Sequence, residues 1–196
     1  MSDFDAKTAA AQYREVARVL NDLFDSHLSG LCAGCLEALY GAAPRRATPR
    51  MELVKGIFPG CCQAGVAEDF RISQEEDAES LPASLVEEII AARDEALGVN
   101  DTAFVIRDVV TGEEKQGVGC RWLGERGCSL GELKSTLCLG FLCDAALLRL
   151  GNNDIAGEFV KVLEAIVGGG ERAQIRVRAF KGYLSALRES LAKSSV

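Results

Sequence analysis

Histidine occurs once in this chain of 196 residues, at His27, and tryptophan once, at Trp122. No Ser-His-Asp set and no phosphate loop is present, and Gly117-Val118-Gly119 lacks the rest of a dinucleotide fingerprint. The sequence therefore carries little that reads as an enzyme site. Basic charge is also in deficit: 22 Lys and Arg stand against 29 Asp and Glu, a net charge of −7. That balance argues against a nucleic-acid partner, whose phosphates need a basic face. Aromatic residues make up only 6% of the chain, while Ala, Leu and Gly are plentiful, which favours helices packed through small residues over a β-sandwich. No apolar run is long enough to cross a bilayer, so no membrane partner is expected. The start, MSDFDAKTAAAQYREVARVL, has no basic stretch followed by an apolar one, so no signal peptide is visible. The expectation is a cytoplasmic chain whose thiols stay reduced.

What the chain does have is eight cysteines. Cys120, Cys128, Cys138 and Cys143 follow one another as C-x7-C-x9-C-x4-C. Upstream lie a C-x2-C pair, Cys32 and Cys35, and a vicinal pair, Cys61 and Cys62. In a secreted protein eight cysteines would read as a disulfide framework. In a reducing compartment the same residues read as a metal or redox site.

The hydrophobic share of 48% suits a globular protein, and the length suits one domain over residues 1–196. Within it the cysteine-bearing region spans about 30–145, and a helical pair about 152–193. Tyr13, Val16, Ala17, Leu20, Leu23, Phe24 and Leu28 recur at helical spacing and predict a long amphipathic helix from Ala6 to about Leu28. A short helical segment carries Cys32 and Cys35, a loop with Pro44 and Pro49 follows, and Cys61-Cys62 sit in a tight apolar turn. The run ISQEEDAES reads as an acidic, solvated linker whose carboxylates favour the start of the next helix. That helix is expected from about Pro82 to Leu97, with Leu85, Ile89, Ile90 and Leu97 on one face and Gly98 past its end. The β-branched stretch 102–110, a turn at Thr111-Gly112 and the returning 113–119 predict one small β-hairpin that delivers the chain to Cys120. A helix from near Ser135 is expected to run on through DAALLRL after Cys143. Asn153 or Asp154 then caps a helix with Ile155, Phe159, Val162, Leu163 and Ile166 inside. The glycines 168–170 break it before a last helix, Arg172 to about Leu191. The fold class predicted is mainly α, a helical domain with one small hairpin and cysteine-bearing loops around a metal centre.

Thiolates bind zinc and iron–sulfur clusters because both are thiophilic. Only Cys32 and Cys35 have the spacing of a zinc knuckle, and more widely spread ligands suit a larger cuboidal cluster. Gly117, Gly119, Gly124, Gly127, Gly131 and Gly140 interleave with the late cysteines and let the backbone turn tightly. Trp122, Leu123, Leu139, Phe141 and Leu142 would supply an apolar shell.

This pattern resembles the YkgJ-type cysteine-cluster family of zinc- or iron-chelating proteins. Cys120-Arg121-Trp122-Leu123 is similar to the family's opening, Gly127-Cys128-Ser129-Leu130 to its turn, and Lys134 to its basic position. Cys138, Phe141 and Cys143 are similar to its close, and Pro59-Gly60-Cys61-Cys62 to its earlier cysteine pair. The resemblance covers roughly residues 57 to 145. Ser135 stands where the family has proline, and the cysteine just before the vicinal pair is absent. The resemblance implies Cys61, Cys62, Cys120, Cys128, Cys138 and Cys143 as the candidate metal ligands. Cys32 and Cys35 either complete that shell, form a second site, or do redox work.

The expected function is a metal-binding protein that holds an iron–sulfur cluster through cysteine thiolates and acts as carrier, sensor or accessory factor. Structural zinc is the first alternative. The second is a thiol–disulfide oxidoreductase using Cys32 and Cys35, although such enzymes place the motif after a strand and here a helix precedes it. His27 lies five residues before Cys32 and reads as a polar residue at a helix end.

Overall fold

The computed structural model describes residues 4–28, 65–73, 75, 77–98, 104–107, 114–120, 122–124, 127–140, 142, 144–151 and 153–194. Among them the protein is mainly helical. Helix α1 (Ala6–His27) starts where Asp5 caps it, its Oδ1 accepting from the backbone N–H groups of Lys7 at 3.1 Å and Thr8 at 3.3 Å. Its buried stripe is Ala9, Ala10, Tyr13, Val16, Ala17, Leu20 and Leu23, with Leu28 buried just beyond. The alanines let a neighbouring backbone approach while the leucines and valine fill the core. His27 ends α1, as its position suggested.

Helix α2 (Ala83–Leu97) packs against α1. Its inner face corrects the sequence reading in one respect. Leu85 and Ile89 are buried, but the next position of that stripe is Arg93, while Leu97 is 41% exposed. The four-residue stride from Leu85 leads to the arginine, so a charge occupies a buried position that the apolar pattern did not include.

The stretch between the 3₁₀ turn Val66–Glu68 and α2 is also more structured than a solvated linker. The Leu81 N–H donates to the Phe70 carbonyl at 2.9 Å and the Ile72 N–H to the Glu79 carbonyl at 2.8 Å, with Arg71 bridging to Ser80. Phe70 and Leu81 are buried at its base, so its ends are pinned by apolar residues that flank the acidic run. No acidic residue enters the first turn of α2; Pro82 precedes it instead.

Strands β1 (Phe104–Arg107) and β2 (Glu114–Gly119) pair antiparallel, Ile106 opposite Lys115 and Arg107 opposite Glu114, with an irregularity between Phe104 and Val105. The turn expected at Thr111-Gly112 lies outside the described residues. Two further short strands, β3 (Leu123–Gly124) and β4 (Gly127–Cys128), pair antiparallel and carry the chain through the cysteine region.

The single helix expected from Ser135 onward is instead two, α3 (Thr136–Gly140) and α4 (Asp144–Arg149). The first ends at Gly140, a residue with little helix propensity to carry the turn onward. Helices α5 (Ile155–Gly168) and α6 (Gly170–Ser194) follow and pack along each other. Asp154 caps α5, its Oδ1 accepting the Gly157 N–H at 3.0 Å. The approach is close enough that a Cβ at residue 157 would lie 2.4 Å from the carboxylate, which is why glycine stands there. Between the helices Gly169 and Gly170 both take positive φ, 69° and 66°, a conformation that breaks the helix cheaply only with glycine.

The core joins α1, α2, α5 and α6. Phe180 sits between Phe159 and Tyr183, with ring centroids 6.2 Å away on either side. Each large side chain taken fully from water here, such as Leu20, Ile89 or Leu163, contributes roughly 1.5–3 kcal/mol. Helix α3 packs against α1, α5 and the 3₁₀ turn Val66–Glu68.

Candidate functional site

Three of the eight cysteines lie among the described residues: Cys120 is buried, and Cys128 and Cys138 are half-buried. Cys120 leaves the end of β2 and is followed by the buried Trp122. The Trp122 carbonyl accepts both the backbone N–H of Ser129 at 3.0 Å and the Ser129 hydroxyl at 3.1 Å. Those two bonds close the β3–β4 turn, which places Cys128 opposite Leu123. Leu130 and Leu133 then anchor a second 3₁₀ turn, Gly131–Leu133, against α1.

Cys138 is held differently. Ser135 is fully buried, and its Oγ accepts the Cys138 N–H at 3.2 Å while donating to the Val66 carbonyl at 2.5 Å. One hydroxyl thus caps α3 and ties it to the 3₁₀ turn Val66–Glu68. Thr136 adds a second tie, donating to the Arg71 carbonyl at 2.6 Å. From the other side the buried Tyr13 hydroxyl donates to the Lys134 carbonyl, and Lys134 Nζ to Asn21 Oδ1, so α1 grips the residues just before Cys138. Arg14 and Glu132 pair at 2.5 Å on the surface nearby, a contact worth at most about 1 kcal/mol.

Burial pushes the Cys138 thiol up to about 12. Ser135 and Lys134 oppose the rise, while Cys128 and Cys120 add to it. The Tyr13 phenol is raised well above its ordinary value, first by burial and then by Cys138. The physical meaning is that Cys120, Cys128, Cys138 and Tyr13 share one low-dielectric neighbourhood, where a negative charge on one opposes charge on the next. Without a cation the Cys138 thiol is neutral at ordinary pH. Even so, among the described residues no group of three His, Cys, Asp or Glu side chains forms an arrangement that could hold a metal ion. The described residues alone therefore do not make up the metal centre expected from the sequence. Cys32, Cys35, Cys61, Cys62 and Cys143, the other five candidate ligands, lie outside the described residues.

Arg93 completes the surroundings. It is 4% exposed, and its guanidinium carbon lies 5.2 Å from the centroid of the Trp122 ring. Its Nη1 donates to the Ala67 carbonyl at 3.4 Å and stands 3.9 Å from Glu68 Oε1, and its Nε is 3.6 Å from Asp94 Oδ1. The burial of Arg93, the Tyr13 contact to Lys134 and the capping role of Ser135 were not read from the sequence. The stride Leu85–Ile89–Arg93 was the one signal that could have found the arginine.

A cleft of about 500 Å³ opens beside α3, lined by Arg71, Ser73, Thr136, Leu137 and Phe159 among others. None of the three described cysteines lines it, so the thiols and the cleft are separate features.

The chain matches no family model, no curated protein and no solved structure. Among the described residues no helix is long and apolar enough to cross a membrane.

Proposed function

We propose that this protein is a cysteine-cluster metal-binding protein that holds an iron–sulfur cluster through thiolates and serves as a carrier, sensor or accessory factor. The observation that carries the reading is that Cys120 and Cys128 lie close enough to the largely desolvated Cys138 thiol to oppose its ionisation. Buried thiols that repel one another as thiolates are poor redox nucleophiles, and a bound cation removes the repulsion. The resemblance of the spacing from Cys61 to Cys143 to the YkgJ-type pattern supports the same reading. The ligand set needs members beyond the three described thiols, and Cys61, Cys62 and Cys143 are its first candidates, followed by Cys32 and Cys35.

The test is elemental analysis of protein purified without oxygen. Iron and acid-labile sulfide in stoichiometric amounts, with a brown colour, are expected, and both should fall sharply in Cys128→Ser and Cys138→Ser because metal binding is coupled to the fold. A colourless protein with stoichiometric zinc would replace the cluster by zinc. Protein free of iron and zinc, or variants with unchanged metal content, would overturn the proposal.

A further inference from the structure

We infer that Arg93 is a positioning residue for the thiol group, clamping the cysteine hairpin through the face of Trp122 to the same 3₁₀ turn that Ser135 uses to hold α3.

The turn Val66–Glu68 presents consecutive groups to two different cysteine-bearing segments. Its first carbonyl, at Val66, accepts from Ser135 Oγ, which in turn accepts the N–H of Cys138. Its second carbonyl, at Ala67, accepts from Arg93 Nη1, and Glu68 lies within ion-pair distance of the same nitrogen. The guanidinium then faces Trp122, whose backbone lies two residues after Cys120 and whose carbonyl closes the turn that carries Cys128. Two chains of contact therefore run from three consecutive residues, one to Cys138 and one to Cys120 and Cys128.

The choice of arginine is informative. A helix stripe that continues Leu85 and Ile89 would be filled at less desolvation cost by leucine or methionine. The carboxylates near Arg93 are partly in water, with side chains 39% exposed at Glu68 and 38% at Asp94, so the buried end of this network is the cation. A planar guanidinium can lie against an indole and donate in its own plane at once, which an aliphatic chain cannot do and an ammonium does poorly. The arrangement thus fits a demand for fixed orientation of Trp122, beyond the filling of space. The inference deepens the metal-binding proposal, and its test is made to read the thiols directly.

Metal-free, reduced full-length protein would be labelled with iodoacetamide and the modified cysteines identified by peptide mass mapping. Trp122, the single tryptophan, reports the hairpin by its emission. In Arg93→Met, labelling of Cys120 and Cys128 should rise roughly tenfold as the hairpin opens more often, and the emission should move to longer wavelength. Arg93→Lys should restore part of both effects. Leu184→Ala, which removes a buried side chain from α6, serves as a control for general destabilisation. With all variants compared at the same interval below their melting midpoints, the control should keep wild-type labelling at these two cysteines. Labelling of Arg93→Met equal to wild type, or matched by the control, would overturn the clamp. Should Arg93→Met not fold, Arg93→Lys and Trp122→Phe decide: wild-type labelling in both overturns the inference, and a rise in either supports it. Metal analysis of the wild type reads the other proposal separately, since a metal-free wild type with the expected labelling discards the metal and keeps the clamp.

Discussion

Ser135→Ala is the substitution whose cost the structure specifies most fully. The hydroxyl is fully buried and serves two partners, accepting the Cys138 N–H at 3.2 Å and donating to the Val66 carbonyl at 2.5 Å. Loss of a serine cap costs about 0.5–2 kcal/mol. Leaving the Val66 carbonyl without this donor adds about 1–3 kcal/mol. The two losses share one atom and do not simply add, so about 2–3 kcal/mol is expected. At about 2–4 °C for each kcal/mol in a chain of this size, the melting midpoint should fall by about 4–12 °C. Urea titration of reduced, metal-free protein, followed by far-UV circular dichroism, measures the difference, with an unchanged slope showing that the extent of unfolding is the same. Ser129→Ala is the internal comparison. Ser129 is exposed, and the Trp122 carbonyl that its hydroxyl reaches keeps the backbone N–H of the same residue, so no more than about 0.5 kcal/mol should be lost. If the two alanine variants lose the same amount, or if Ser135→Ala loses less than about 0.5 kcal/mol, the reasoning from this hydroxyl fails.

Two further outcomes follow from the frame. Arg71 holds the Asp69 carboxyl below its ordinary value of 3.8, chiefly by hydrogen bonding to it, so the pair contributes stability that is present above that value and is lost as pH falls through the lowered one. Arg71→Met should therefore destabilise the protein near neutral pH, and the gap from wild type should close on acidification below about pH 3.8; a gap that stays constant from pH 6 to pH 2 would exclude the linkage. Phe180→Ala should cost about 3–5 kcal/mol, because it empties the centre of the Phe159–Phe180–Tyr183 row, and denaturant titration reads the loss.

The helices were legible because their signal is local. The spacing of Tyr13, Val16, Leu20 and Leu23 marks a buried stripe whatever the stripe packs against, and Asp154 and the glycines 168–170 mark the ends of α5 by their own backbone preferences. The break between α3 and α4 was not read from the sequence, although Gly140 marks it, because leucines recur on both sides of it. Arg93 drew no notice in the sequence because its burial depends on where the turn at Ala67 and the ring of Trp122 come to lie. Ser135 drew notice as a departure from the pattern the segment resembles, yet its use as a cap that reaches Val66 is set by a contact 69 residues away. The influence of Cys120 and Cys128 on Cys138 accords with their nearness in sequence, whereas the influence of Cys138 on Tyr13 had no sequence signal.

The pairing of α1 with α5 and α6 has a consequence for the way the chain is made. Synthesis delivers α1 first, then every one of the eight cysteines, and only afterwards the two helices that complete the core from Ile155 onward. Throughout that interval the stripe on α1 lacks its final partners, and Cys138 has been made ahead of α5, against which its own helix packs. Closing so long a stretch of chain is entropically slow. The vulnerable species is therefore the nascent chain, and its yield should respond to the redox state and metal supply during translation more than the finished protein responds to either.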